Sequence, residues 1–216
     1  MTGRSARSLP WPLVASLVVL LAGCARPIRL NEPVGVVQVG FDGGNGRLVS
    51  VMTPFADGRT PPSCEADKLG TGDRLADYSS LHKQLGCSPL PAAWVARRFM
   101  KGLEAADFVL VAPGPDDGIP PEQLARATTV RGRLDRIEVE AMAQMQSVLT
   151  EADLQVEIVV ATPSGLSASR RFHVKAQEVG LSSGPGRQQE TLDRLIDRAV
   201  REMTAGVVSL LNRYPE

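Results

Sequence analysis

Nine apolar residues near the C-terminus (Leu192, Leu195, Ile196, Ala199, Val200, Met203, Val207, Leu210 and Leu211) recur at helical spacing over about 25 residues. At 1.5 Å per residue such a helix is roughly 37 Å long. A stripe of that length reads as a core face and demands an equally long apolar surface to cover it. The preceding sequence supplies one. Leu154, Val156, Ile158 and Val160 alternate, Pro163-Ser164-Gly165 turns the chain, and Ala168, Phe172, Val174 and Ala176 return on a partner strand. Upstream, Val130, Gly132 and Leu134 alternate and then slip register to Ile137 and Val139, which predicts a β-bulge. Ala141 to Val148 reads as a strand extension and a turn. A second amphipathic helix is predicted over Pro91 to Ala106. Trp94, Val95, Phe99, Leu103 and Ala106 lie on its inner face, and Arg97, Arg98, Lys101 and Glu104 on the other. It leads into a short buried strand, Phe108 to Val111. The expected fold class is α/β of the α+β kind. Its two layers are a mostly antiparallel sheet of four to six strands and two helices packed on one of its faces.

The other end of the chain carries an export signal. Arg4 and Arg7 precede an apolar stretch from Leu13 to Ala22, and Leu21-Ala22-Gly23-Cys24 closes it with small residues. The stretch is about half the roughly 20 residues that a membrane span requires. The four closing residues resemble the lipobox of bacterial lipoproteins, which implies that the Cys24 thiol takes a diacylglycerol and becomes the first residue of the mature chain. A further acyl chain on the amino group would make the anchoring stable, where one chain is marginal. Ala25 in place of Asp points, by likeness to the enterobacterial sorting rule, to the outer membrane, with the protein on its periplasmic face.

The expected organisation is therefore a signal peptide at 1–23, a lipidated tether at 24–33, and a single periplasmic domain at 34–216 with an irregular loop at 53–90. In the tether, Pro27 and Pro33 favour extended backbone that stands the domain off the membrane. Val34 to Phe41 is β-branched and reads as a strand ending at Asp42-Gly43-Gly44-Asn45-Gly46, and Arg47 to Met52 as a returning strand. Without the two signal arginines, the 24 basic residues fall to 22 against 24 acidic ones. That balance gives no reason to expect nucleic acid as a partner.

Three cysteines become one lipid site and one pair, Cys64 and Cys87, in a compartment where disulfides persist. A bridge between them is expected, and the chain-entropy account gives it roughly 3 kcal/mol. The rival metal site would need more ligands than the nearby His82 supplies. Signals for catalysis are thin. There is no Gly-x-Ser-x-Gly elbow for either histidine, His82 or His173, and His173 reads as an exposed strand residue. Asp116-Asp117 falls in a Pro/Gly turn, and Glu138 and Glu140 share one strand face, both common solvated patterns. The glycines of residues 42–46 resemble a calcium or phosphate loop but lack its further ligands, and a tight turn explains them. Glu190 with Arg194 and Asp197 with Arg201 are spaced as surface pairs on the wet side of the terminal helix.

The order of elements, together with the literal stretch Asp57-Gly58-Arg59-Thr60, resembles the YajG-type envelope lipoproteins and, more loosely, LptE-like and ABC-transport auxiliary lipoproteins. The resemblance implies a non-catalytic, lipid-anchored periplasmic lipoprotein that acts by binding, in outer-membrane maintenance, assembly or transport. It carries over no binding residue. The alternatives are an auxiliary lipoprotein of an ABC-type lipid or solute transport system and, from a different class, a periplasmic hydrolase. The expected partners are the membrane, through the anchor, and an envelope protein. No cofactor or metal is expected.

Overall fold

The structure is a computed structural model and describes residues 39–40, 43–59, 80–84, 91–111, 121–181 and 185–213; for residues 80–84 the description is of backbone alone. Seven strands form one mixed sheet: β1 Leu48–Val51, β2 Ala56–Asp57, β3 Ser80–Gln84, β4 Val109–Leu110, β5 Thr128–Ala143, β6 Val148–Ala161 and β7 Ser167–Gly180. The helices are α1 Pro91–Ala105, α2 Pro121–Arg126 and α3 Pro185–Arg213. The strands occupy five lanes, because β1, β2 and β3 follow one another along a single edge of β5. β1 lies against Val49↔Thr128 to Val51↔Val130, β2 against Arg133 and Leu134, and β3 against Glu138 to Met142. β4 flanks β1 on one side of the sheet, while β6 and β7 complete the other. The long ladders are antiparallel; β1 and β2 join in parallel. Residues 53–90 are thus less irregular than their sequence suggests, since β2 and β3 fall within them.

Local chemistry sets the hairpins. Gly165, at φ +85°, takes the left-handed position of the β6–β7 turn, and Thr162 N–H donates to the Leu166 carbonyl at 2.8 Å. The β5–β6 turn closes with Gln144 N–H on the Ser147 carbonyl at 2.7 Å. The expected register slip occurs between Leu134 and Arg136, so both Leu134 and Ile137 face the core.

α1 and α3 lie on the same face of the sheet and share one apolar cluster with it. Eight of the nine stripe residues of α3 are buried, and Leu210 is partly buried, so the stripe is core. Each fully buried Leu or Ile contributes about 1.5–3 kcal/mol relative to exposure. Three glycines permit the close approaches. Gly102 lets α1 cross α3 against Val200 and Thr204, and Gly206 makes room for the Phe172 ring. At Gly132 a Cβ would stand 2.5 Å from the Phe55 ring, which reaches 5.9 Å from Phe99, centroid to centroid.

Arg98 departs from expectation. It is 5% exposed rather than on the wet side of α1. Its guanidinium lies 5.3 Å from the centre of the Trp94 ring and within 3.6 Å of Asp193 and 3.8 Å of Asp197 on α3. The expected pairs along α3 are also replaced. Arg194 reaches Glu178 on β7 at 2.6 Å, and Asp197 faces Arg98.

Candidate functional site

The face of the sheet opposite α1 and α3 carries charge in ordered columns, and among the described residues no helix covers it. Strand register builds it row by row: Arg133, Glu157 and Arg171; Arg136, Gln155 and His173; Glu138, Asp153 and Lys175; Glu140, Glu151 and Gln177. A final apolar row, Met142, Leu149 and Val179, ends the face. The β6 column is therefore acidic and the β7 column basic, with β5 mixed.

Cross-strand pairs join the columns. Arg133 and Arg171 both approach Glu157, at 3.2 and 3.4 Å. Lys175 Nζ donates to Glu151 at 2.9 Å, and Gln177 donates to the other oxygen at 2.9 Å. These donors hold the Glu151 carboxyl below its ordinary pKa, the lysine contributing most. The same contact raises the Lys175 ammonium. Asp153, the one buried acid of the face, has three basic neighbours. Arg136 and Lys175 each lie 3.7 Å from Oδ2, and His173 Nε2 lies 2.9 Å from Oδ1. The imidazole is off the line of a hydrogen bond, so Oδ1 is buried without an aligned donor. The pattern is that of a surface ladder in which Asp153 and Glu157 are met by bases from both flanking strands and Glu151 by a base from β7.

His173 thus lies on an open sheet face beside an acid, and Glu138, which shares that face with Glu140, pairs with Arg136 at 2.6 Å. His82 is opposite Glu140 in the backbone register of β3 and β5. The glycine loop is a helix cap. Gly43 and Gly44 N–H groups donate to the Ala106 carbonyl, at 3.2 and 2.8 Å, and Gly46 N–H to that of Asp107 at 2.8 Å. Its amides are thereby committed to the end of α1. The Asp57-Gly58-Arg59 stretch forms a local clasp, with Arg59 Nε donating to Asp57 Oδ1 at 2.8 Å. Arg59 accordingly holds the Asp57 carboxyl below its usual pKa. Cys24, Cys64, Cys87, Asp116 and Asp117 lie outside the described residues, as does most of the strand expected at Val34 to Phe41. A small dimple of about 10 Å³, room for a single water, is lined by Val160, Thr162, Leu166, Ala168 and Leu210. Among the described residues no cluster of three or more His, Cys, Asp or Glu side chains could hold a metal ion, and no helix is long and apolar enough to cross a membrane.

Sequence reasoning missed this ladder because its members are distant in the chain. Only the alternation of charge with apolar residues from Glu151 to Glu157 hinted at it.

No family model matches the chain, and no curated protein matches it in sequence. Among solved structures it is similar to protein XCC0632 from Xanthomonas campestris, of the family DUF330. The likeness has 10% identity over 86% of this chain and 94% of that one, with a TM-score of 0.50. At that identity the likeness is one of fold. Looser overlaps, too weak to carry an argument, are found with protein CT253 of Chlamydia trachomatis and lipoprotein GNA1162 of Neisseria meningitidis. The first has 15% identity over 73% of this chain and 95% of that one, TM-score 0.42. The second has 9% identity over 71% and 97%, TM-score 0.29. What the chain shares with XCC0632 is thus the sheet-and-helix architecture itself.

Proposed function

We propose that this protein is a non-catalytic, lipid-anchored periplasmic lipoprotein that acts by binding at the outer membrane, in its maintenance, assembly or transport. The observation that carries the reading is the coincidence of a basic start, a short apolar core and Leu21-Ala22-Gly23-Cys24 at the close of the signal. The uncovered face is compatible with it. His173 lies beside Asp153, and Glu151, Asp153 and Glu157 are drawn into cross-strand pairs while Glu138 pairs along its own strand, an arrangement that stabilises a surface and needs no bound substrate.

The test is the intact mass and membrane partition of the protein from its own envelope. Native chain should begin at Cys24, carry the mass of acyl chains, and lack two hydrogens because Cys64 and Cys87 are joined. Cys24→Ala should remove the lipid mass and release the protein from the outer-membrane fraction or leave an unprocessed precursor. Unchanged mass and partition in the variant would defeat the anchor, and two titratable thiols in native protein would defeat the disulfide.

A further inference from the structure

We propose that the open half of the β7 edge, Ser167 to His173, is a docking site for an extended acidic segment of another protein, which adds to the sheet as a further strand. The inference rests on the reading that this protein acts by binding, and names the class of partner. β7 is the last strand of the sheet, and among the described residues nothing pairs with its outer edge. Fourteen residues of such an edge present about 46 Å of backbone donors and acceptors.

The two halves of that edge are treated differently. Toward its C-terminal end, α3 shields the backbone. Arg187 donates to the Val179 carbonyl at 3.1 Å, and Arg198 to that of Lys175 at 3.4 Å. These carbonyls are four residues apart, and residues two apart along a strand repeat their orientation. The backbone groups of Ser167, Ser169, Arg171 and His173 therefore face the same edge, without a guanidinium cap among the described residues. A partner strand would find its hydrogen bonds there.

Charge selects the occupant. The sequence Ser167-Ala168-Ser169-Arg170-Arg171-Phe172-His173 holds three basic side chains and no acidic one. The Arg171 side chain is 76% exposed, and Arg170 rests over the Phe172 ring at 5.3 Å. A second copy of the chain, pairing antiparallel about this stretch, would bring its arginines opposite these, and like charges opposite one another destabilise a sheet. A strand with acids at alternate positions would instead place carboxylates along the basic column. Strand addition of this kind takes its affinity from the backbone and its selectivity from alternate side chains.

The experiment uses the full mature chain and two synthetic ten-residue peptides, one alternating Val with Glu and the other Val with Lys. Binding is read by fluorescence anisotropy and by hydrogen exchange. The expected result is protection of the 167–173 amides by the Glu peptide, with at least tenfold tighter binding than the Lys peptide and weakening at high salt. Arg171→Gln, which removes the charge without setting a second carboxylate opposite Glu157, should change the melting temperature little and weaken the preference for the Glu peptide. The proposal is overturned if neither peptide protects β7, if both bind equally, or if these amides become protected on self-association. Cross-linking of the chain's own residues 34–38 to this edge in the free protein would overturn it too. None of these outcomes alters lipid mass at Cys24, so this proposal and the anchor fail separately.

Discussion

The two faces of this sheet are made by the same strands and obey opposite rules. On the covered face, Leu154, Val156 and Ile158 of β6 meet Leu134 and Ile137 of β5, Phe172 and Val174 of β7, and the stripe of α3, all buried. On the open face, one residue along, Asp153, Gln155 and Glu157 meet Arg136, Arg171, His173 and Lys175. The first face gains its energy from area removed from water, which is indifferent to partner identity. The second gains little from any one pair, because exposed ion pairs are worth about 0–1 kcal/mol. Its contribution is to register, since a slip of one residue would send the charges into the core. The covered face therefore supplies stability and the open face supplies discrimination.

The largest expected effect is a charge placed on the covered face. Ile196 is fully buried against the sheet, and Ile196→Asp would leave a carboxylate without a partner in an apolar site. The cost is several kcal/mol out of a typical total of 5–15. Thermal denaturation should show an unfolded or degraded chain. A normal melting temperature would break the contrast between the faces.

Arg98 sharpens that contrast, because on the covered side it is a fully charged side chain that is nonetheless buried. It is tolerated by stacking on Trp94 and by its two acids on α3. Burial raises the Asp193 carboxyl despite the nearby arginine, whose contribution is smaller than the desolvation. Arg98→Ala removes the packed stem as well as the charge and should cost about 2 kcal/mol. Arg98→Met, which refills the space, should recover at least half of it. Equal losses in the two variants, read from urea midpoints, would mean that the charge and not the packing holds this site together.

Legibility in the sequence follows the same division. The apolar periods of β5, β6, β7 and α3 were readable because burial imposes alternation on every turn or pleat, and even the bulge announced itself at Leu134 and Ile137. β4 is legible in Phe108 to Val111, although Val109 there is exposed rather than buried, whereas β2, at two residues, is too short to show a period and α2 has a single large apolar residue, Leu124. β3, Ser-Leu-His-Lys-Gln, owes its place to the length of β5 rather than to a pattern of its own. Arg98 was misplaced because charge alone suggests water. The ladder of the open face was invisible for a different reason. Glu151 and Lys175 are 24 residues apart, and only the register of β6 on β7 brings them together. The residues on which the proposed anchor depends are the converse case, plain in sequence and outside the described residues.

The smallest effect is expected on the open face and is a dependence on pH. Lys175, with Gln177, holds Glu151 below its ordinary pKa, so the folded state binds its proton less readily than the unfolded chain does. A carboxyl depressed in this way stabilises the fold fully above its unfolded value, near 4.5. That contribution is lost as pH falls through the lower folded value. Glu151→Gln should therefore lower stability at pH 7 by about 0.2–1 kcal/mol, and the gap between variant and parent should close under acid. Salt at 0.5 M should narrow the gap at pH 7, since the pair faces solvent. If melting curves instead show a gap of several kcal/mol that salt does not touch, the pair is part of the stabilising core, and the division of labour between the two faces is wrong.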